Sequence, residues 1–148
     1  MLTFSKKIDY ALLALSYLTH TPQRPVNTKE IAEEYDIPVE LLAKILQRLA
    51  KAEILISTPG PTGGYRLHKS PDEITIGFIV DTIEGRPALI QCLRPDHTEC
   101  EQHTKCTIRT PLMRVNERML GVLDHLSLTE ICREETSTVH SIPLLVRG

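Results

Sequence analysis

The sequence predicts a mainly α chain with one small β-hairpin, organised as a compact helical unit followed by a long C-terminal helix. Three observations carry that prediction. Apolar residues recur at helical spacing in five segments. A turn rich in glycine and proline, Thr58 to Gly64, separates two short β-prone runs. A polar stretch holding three cysteines, Gln91 to Cys106, divides the fourth helical segment from the fifth. At 148 residues the chain suits one domain, or a small domain with an appended arm, and 41% apolar residues suffice for an ordinary core.

The first helix is expected over Ser5 to Thr19. Ile8, Ala11, Leu12, Leu15 and Leu18 form one apolar face, while Tyr10, Leu13, Ala14 and Tyr17 make the opposite side apolar too. Such a helix is buried on two faces, and one of them can serve a partner chain. Asp9 is its lone carboxylate, placed where the helix dipole stabilises negative charge. After a loop with two prolines, Asn27 and Glu30 read as a capping-box pair that starts a short second helix, with Ile31, Ala32 and Tyr35 inward. That helix stops near Asp36. Pro38 then opens a third helix in its first turn, with Leu42, Ile45, Leu46 and Leu49 as the core stripe. Its outer face carries Glu40, Ala43, Lys44, Gln47, Arg48 and Lys51, a polar and partly basic surface.

Ile54 to Ser57 and Tyr65 to Leu67 read as strands around the glycine-rich turn. Two short helices joined by a tight turn are the helix-turn-helix arrangement, whose second helix fits the major groove, and a hairpin directly after it is a wing. The glycines of that turn allow backbone N–H groups to approach phosphates, with Arg66 and Lys69 supplying charge nearby. The fold class expected is therefore a winged helix-turn-helix domain plus a long C-terminal dimerisation helix. The DNA-contact candidates are Thr28, Glu40, Lys44, Gln47, Arg48, Lys51, Gly60, Gly63, Gly64 and Arg66. Charge distribution agrees, since residues 1–70 hold nine Lys/Arg against seven Asp/Glu while residues 71–148 hold eight against twelve.

Ile76, Ile79, Val80 and Ile83 give a fourth helix that ends at Gly85. Beyond it Cys92, Cys100 and Cys106 are spaced C-x7-C-x5-C among residues that favour loop, with Pro95 and Asp96. Thiolates gathered on a polar loop are arranged to converge on a soft cation. Zinc is one candidate, with His97 or His103 completing a set of four, but both gaps exceed the usual zinc-knuckle spacing. An iron-sulfur cluster tolerates such irregular spacing and is the favoured reading. A disulfide with a spare thiol ranks below both. The opening Met-Leu-Thr-Phe-Ser-Lys-Lys has no signal-peptide core, which places the chain in a reducing cytoplasm. A redox enzyme is disfavoured by the lack of a C-x-x-C pair and of a glycine-rich nucleotide loop.

Leu112, Val115, Met119, Val122 and Leu126 repeat at steps of three and four, a heptad seam expected to pack on a twofold mate. Sixteen residues from Pro111 span about 24 Å. Ser127 to Arg133 reads as a short capped helix in which Cys132 is structural. The chain thus divides into a DNA-binding domain (1–85), a cysteine loop (86–110), a dimerisation helix (111–134) and a loosely ordered tail (135–148). None of its apolar runs approaches the roughly 20 residues a bilayer span requires.

The combination of Asp9-Tyr10-Ala11-Leu12, the wing Gly60-Pro-Thr-Gly-Gly-Tyr-Arg-Leu67, the run from Ile74-Thr-Ile76 to Glu84-Gly85 and the three cysteines resembles the winged-helix iron-sulfur regulators typified by IscR and NsrR. The resemblance covers residues 1 to about 134. It implies a homodimeric transcription factor, a repressor, that binds a roughly palindromic double-stranded DNA operator. It also implies that Cys92, Cys100 and Cys106 hold a [2Fe-2S] or [4Fe-4S] cluster, so that iron-sulfur status, oxidants or nitric oxide become the signal. IscR-like members take a fourth ligand from a histidine where this chain has Arg109; NsrR-like members take it from a first-helix aspartate of the other subunit, and Asp9 falls at that place. Two further departures stand out. Glu53 replaces the glycine that usually ends the recognition helix, and Pro59 replaces the arginine usual before the wing glycine.

Overall fold

The computed structural model describes residues 4–88, 93, 102 and 104–133. Its elements run α1 (Lys6–His20), α2 (Thr28–Glu34), α3 (Val39–Lys51), β1 (Leu55–Thr58), β2 (Gly64–Leu67), a 3-10 turn (Pro71–Glu73), α4 (Ile76–Glu84), α5 (Arg109–His125) and α6 (Leu128–Cys132). Local chemistry fixes most of these boundaries. Ser5 caps α1 by accepting from the Lys7 N–H, Thr75 caps α4 by accepting from Phe78, and Ser127 and Glu130 form a reciprocal capping box at α6. At α2 only half of the expected box exists. Asn27 accepts from the Glu30 N–H at 2.9 Å, but the Glu30 carboxylate turns away to Tyr17 and Arg24, whose combined donors outcompete one backbone N–H. Pro38 is the N-cap of α3, one position ahead of the first turn expected for it.

α2 and α3 both end on a non-glycine residue in the left-handed region, Asp36 at φ 51° and Glu53 at φ 59°. After α3 the Ile54 N–H reaches the Leu49 carbonyl and the Glu53 N–H reaches Ala50, both at 3.0 Å, which is the Schellman pattern that satisfies the last carbonyls of a helix. Ile37 repeats the longer of these bonds, to Ala32 at 2.9 Å, and so closes the turn between α2 and α3. Both following residues, Ile37 and Ile54, are buried, and that burial offsets the strain of the left-handed residue before each.

β1 and β2 pair antiparallel with Leu55 opposite Leu67 and Thr58 opposite Gly64. Val26, just ahead of α2, adds a two-bond bridge to Tyr65. Gly64 makes that approach possible, because a Cβ there would lie 2.2 Å from the Val26 carbonyl oxygen.

One core joins all of this. Ile8 and Leu15 of α1, Ile31 of α2, Leu42, Leu46 and Leu49 of α3, Leu55 of β1 and Ile76 and Ile79 of α4 are essentially sealed from solvent. Leu128 of α6 belongs to the same core, and α6 lies against α1 and the 3-10 turn. Backbone bonds from Ile76 to Leu126 and from Leu128 to Ile74 clip the end of α5 to the start of α4. The segment from Leu126 to Cys132, grouped by the sequence with the dimerisation helix, therefore returns to the winged unit. Cys132 packs on that core. Gly77 lets α5 approach α4 closely, since a Cβ there would collide with the Asp124 carboxylate. Among the described residues no helix is long and apolar enough to cross a membrane. The tail expected over 135–148 lies outside the described residues.

Candidate nucleic-acid interface

α3 is amphipathic to the point of division. Its inner stripe, Leu42, Ile45, Leu46 and Leu49, is buried, and Glu40, Lys44, Gln47, Arg48 and Lys51 are exposed on the other side, with Ala43 half-buried between. These are the side chains that the sequence places on the reading face, and the fold brings them to one surface. Neither Lys44 nor Lys51 has a salt bridge among the described residues. Arg48 differs from its neighbours, because its guanidinium donates to the Ile83 carbonyl in the last turn of α4 at 2.7 Å. It ties the reading helix to α4 and satisfies one terminal carbonyl there. Thr28, the first residue of α2, is half-buried.

Two residues at this surface escape a reading by charge and periodicity. Val39, in the first turn of α3, is 46% exposed beside Glu40, an apolar side chain at the end of the helix that enters a groove in helix-turn-helix proteins. Val39 lies three residues before Leu42 and seven before Leu46, so spacing places it beside the core stripe and does not foretell its exposure. Lys7, from the first turn of α1, faces Lys44, Arg48 and Lys51 across an open groove of ≈ 400 Å³ with Leu41 and Ile45 beneath. Only the packing of α1 on α3 shows that second position.

In the wing, Arg66 is exposed on β2, paired across the hairpin with Ile56. Gly60 sits at the tip at φ 105° with nothing near its Cβ direction, so it is needed for its backbone angle. Gly63 is engaged within the turn. Its N–H donates to the Gly60 carbonyl at 3.0 Å, and a Cβ would strike the Thr58 and Pro59 backbone. Gly64 likewise meets Val26, as above. The sequence offered these two as places where phosphate approaches the backbone; in the fold their smallness serves the hairpin itself. Lys69 lies 6.0 Å from the Phe78 ring centroid, a cation over an exposed aromatic.

Beneath α2 a polar cluster braces the scaffold. Arg24 makes a two-pronged contact with the Glu30 carboxylate, which also accepts from the Tyr17 hydroxyl at 2.9 Å. The Arg24 guanidinium holds the Glu30 carboxyl below the usual carboxylate range, against the opposing effect of burial, and the Tyr17 bond pulls the same way. The same carboxylate pushes the Tyr17 phenol up. Tyr35 packs edge-on against Tyr17 with ring centroids 6.1 Å apart, joining α1 to the end of α2.

Of the metal-ligand candidates, Cys92, Cys100, His97 and His103 lie outside the described residues. Cys106 is a half-buried thiol three residues ahead of α5. Asp9 is exposed on the first turn of α1, and among the described residues no cation pairs with its carboxylate, so it is accessible to a ligand from outside its own protomer. No group of three or more His, Cys, Asp or Glu converges among the described residues. Thiolates suit iron-sulfur ligation chemically. The two ends of the cysteine loop are anchored, one by an Arg86–Asp124 salt bridge of 2.9 Å to α5 and the other by α5 itself.

The seam residues of α5 divide into two kinds. Leu126 packs on the core of its own protomer, and Leu112 and Met119 are half-buried. Val115 and Val122 are 52% and 66% exposed, and Ile108, seven residues before Val115, is 61% exposed. The three form an apolar line along a helix about 25 Å long.

The winged fold recurs in known proteins. The sequence profile described as "Rrf2: Iron-dependent Transcriptional regulator" matches residues 4–134. The HTH-type transcriptional regulator NsrR of Geobacillus kaustophilus is 32% identical over 87% of this chain and 88% of its own length. Among solved structures, IscR of T. potens superposes with a TM-score of 0.65 at 27% identity, over 88% of this chain and 85% of that one. CymR, the global cysteine regulator of B. subtilis, superposes with a TM-score of 0.70 at 26% identity, over 89% of this chain and 97% of that one.

Proposed function

This chain belongs to the Rrf2 family of iron-dependent transcriptional regulators, and from that premise we propose that it is a homodimeric repressor whose DNA affinity is set by an iron-sulfur cluster. It is a DNA-binding regulator and not an enzyme. The reading places Lys44, Gln47 and Lys51, with Glu40 and Val39 at the leading end of α3, in the major groove, and Arg66 on the backbone beside it. Glu40 accepts from cytosine and Lys44 donates to guanine, so the half-site contains a G-C step. Two copies of α3 address half-sites about 34 Å apart on a roughly palindromic operator in the cytoplasm.

In this proposal Cys92, Cys100 and Cys106 of one protomer, with Asp9 of a second copy, hold a [2Fe-2S] or [4Fe-4S] cluster, which supplies reactivity toward oxidants or nitric oxide when bound. The observation that carries the reading is the C-x7-C-x5-C loop, strung between α4 and α5 with its ends fixed, in a member of this family. Coupling to DNA needs a route from that loop to α3. Arg48 supplies one, because its guanidinium holds the last turn of α4, from which the loop departs. Rearrangement of the loop shifts α4, and α3 with it. A coupling of about 1–3 kcal/mol changes operator affinity roughly 5- to 150-fold.

A second reading, a zinc-bound or cluster-free thiol regulator on the same fold, is kept open by the likeness to CymR, the global cysteine regulator of B. subtilis. Iron and acid-labile sulfide in anaerobically isolated protein separate the two. Brown protein that loses its colour in Cys92→Ala, Cys100→Ala or Cys106→Ala and keeps it in Cys132→Ala supports the cluster. Colourless protein with stoichiometric zinc sinks it. Asp9→Ala is expected to loosen the cluster without unfolding α1; if His97→Ala or His103→Ala bleaches the protein instead, the fourth ligand is a histidine.

A further inference from the structure

The groove beside α3 has a character that a DNA-backbone contact does not require. Four cations line it, Lys7 from α1 and Lys44, Arg48 and Lys51 from α3, and among the described residues no carboxylate does. None of the three lysines has a salt bridge among the described residues. The rest of the lining is Gln47 and an apolar patch in which half-buried Leu41 and the aliphatic stems of the cations lie over the nearly sealed Ile45 and Ile83. Arg48 is held rigid by its bond to the Ile83 carbonyl, so one wall of the groove is preformed. At ≈ 400 Å³ the groove falls within the roughly 300–1,000 Å³ range of small-molecule sites.

A phosphate of a DNA backbone is satisfied by cations alone. An apolar floor set among cations adds attraction only for a ligand with an anionic head and an apolar body. We propose that this groove binds a small carboxylate carrying a short aliphatic chain, and that its occupation competes with DNA. The carboxylate lies on the ammonium groups of Lys7 and Lys44, and the chain lies on Leu41 and the aliphatic stems of the cations. Competition follows from position, because Lys44, Gln47 and Lys51 line the groove and also stand on the reading face of α3. That second step rests on the assignment of α3 as the reading helix; the binding step does not.

The test is calorimetric titration of the full-length protein, without DNA, with straight-chain carboxylates from butanoate to decanoate below their micelle concentrations. Affinity is expected to rise about fourfold for each methylene buried, until the groove is filled. The matched alcohols and inorganic phosphate should bind far more weakly than octanoate. Lys7→Ala, an exposed change outside the reading residues, should weaken every carboxylate alike, and Leu41→Asn should flatten the dependence on chain length. A labelled duplex followed by anisotropy should then be displaced by octanoate from the wild type and less readily from Lys7→Ala. Affinity that ignores chain length, or phosphate that matches octanoate, reduces the groove to a seat for the DNA backbone and overturns the proposal, as does a titration with no saturable heat. Carboxylate binding that leaves duplex affinity unchanged overturns the competition. Should no duplex bind under any condition, the assignment of α3 fails, and the calorimetry still decides the groove.

Discussion

α3 and α5 are both amphipathic helices laid on the same core, and they leave opposite surfaces outward. α3 buries Leu42, Ile45, Leu46 and Leu49 and presents lysine, arginine, glutamine and glutamate. α5 buries Leu120 and Asn116, leans Leu123 and Leu126 on the core, and presents Ile108, Val115 and Val122. A single chain therefore completes α3, whose outer face wants water or an anion. α5 leaves an apolar line open among exposed Arg114, Glu117 and Arg118, and in the homodimer proposed above that line packs against its own copy under twofold symmetry. Stability that comes from the winged unit should be independent of protein concentration, and stability that comes from α5 should not.

The largest expected effect tests where α5 stops and the core begins. Leu128, fully buried, should cost about 2–5 kcal/mol when changed to Ala, because the removed atoms leave a cavity in a shared core. Val122→Ala in the same denaturant titration, at concentrations too low for association, should change stability by no more than about 0.5 kcal/mol. Similar losses at the two positions would mean that the line on α5 is covered within its own protomer, and the contrast drawn above would fail.

Val115→Glu combined with Val122→Glu addresses the other side of the comparison. Sedimentation should show a monomer with unchanged helix content, since both side chains are already exposed in one chain. Operator affinity should fall on the order of 100- to 10,000-fold through loss of the second half-site contact. A double variant that still sediments as a dimer would place the interface elsewhere.

Within α3 the contrast sharpens into residue roles. Lys44→Ala should cost about 1–3 kcal/mol on the preferred operator and relax sequence preference. Arg66→Ala should weaken all sequences alike and lower the salt slope by about 1. Equal effects of the two on an unrelated duplex would reduce Lys44 to a phosphate contact.

How far the sequence could be read follows the same division. Where one chain satisfies itself, periodicity and capping chemistry were enough: the buried stripe of α3, the order of elements and the end of α4 at Gly85 all stand in the structure. What escaped depends on contacts between elements distant in the chain. Arg48 looks like any other cation on a charged face until α4 brings the Ile83 carbonyl to it. Glu30 looks like half a capping box until Arg24 and Tyr17 claim its carboxylate. Gly63 and Gly64 look like phosphate seats, because a glycine serving its own hairpin and one serving a ligand are the same letter. Leu126 fits the heptad of α5, and only the bonds between residues 74–76 and 126–128 show that it has turned home. Cys92 and Cys100 lie outside the described residues, so the reading of that stretch as a ligand loop rests on composition and spacing alone.

A smaller effect is expected at the end of α3. Glu53 holds a left-handed conformation at φ 59° that glycine adopts without steric cost, so Glu53→Gly should raise stability by about 1 kcal/mol. Thermal unfolding at high and low protein concentration should show the same gain, since the site belongs to the self-contained unit. A loss instead would show that the Glu53 side chain contributes more than its backbone costs.

The smallest effect concerns pH and tests the claim that the winged unit is braced internally. Arg24 depresses the carboxyl of Glu30 relative to its value in an unfolded chain, with Tyr17 contributing in the same direction. A depressed carboxylate contributes stability that is fully present above the unfolded value and disappears as pH falls through the folded one. Arg24 is half-exposed, so solvent screens most of the attraction, and the contribution is that of a surface pair strengthened by bidentate geometry. Wild type and Glu30→Gln should therefore differ slightly in melting temperature at neutral pH and converge in acid, below the carboxylate range. Tyr17 titrates in the opposite sense. Its phenol is raised by the same carboxylate, so its bond is intact at neutral pH and is lost only as alkali passes the raised value. Added salt should narrow the neutral-pH difference. A difference that persists unchanged in acid would show that Glu30 acts through packing against α1 and not through its charge.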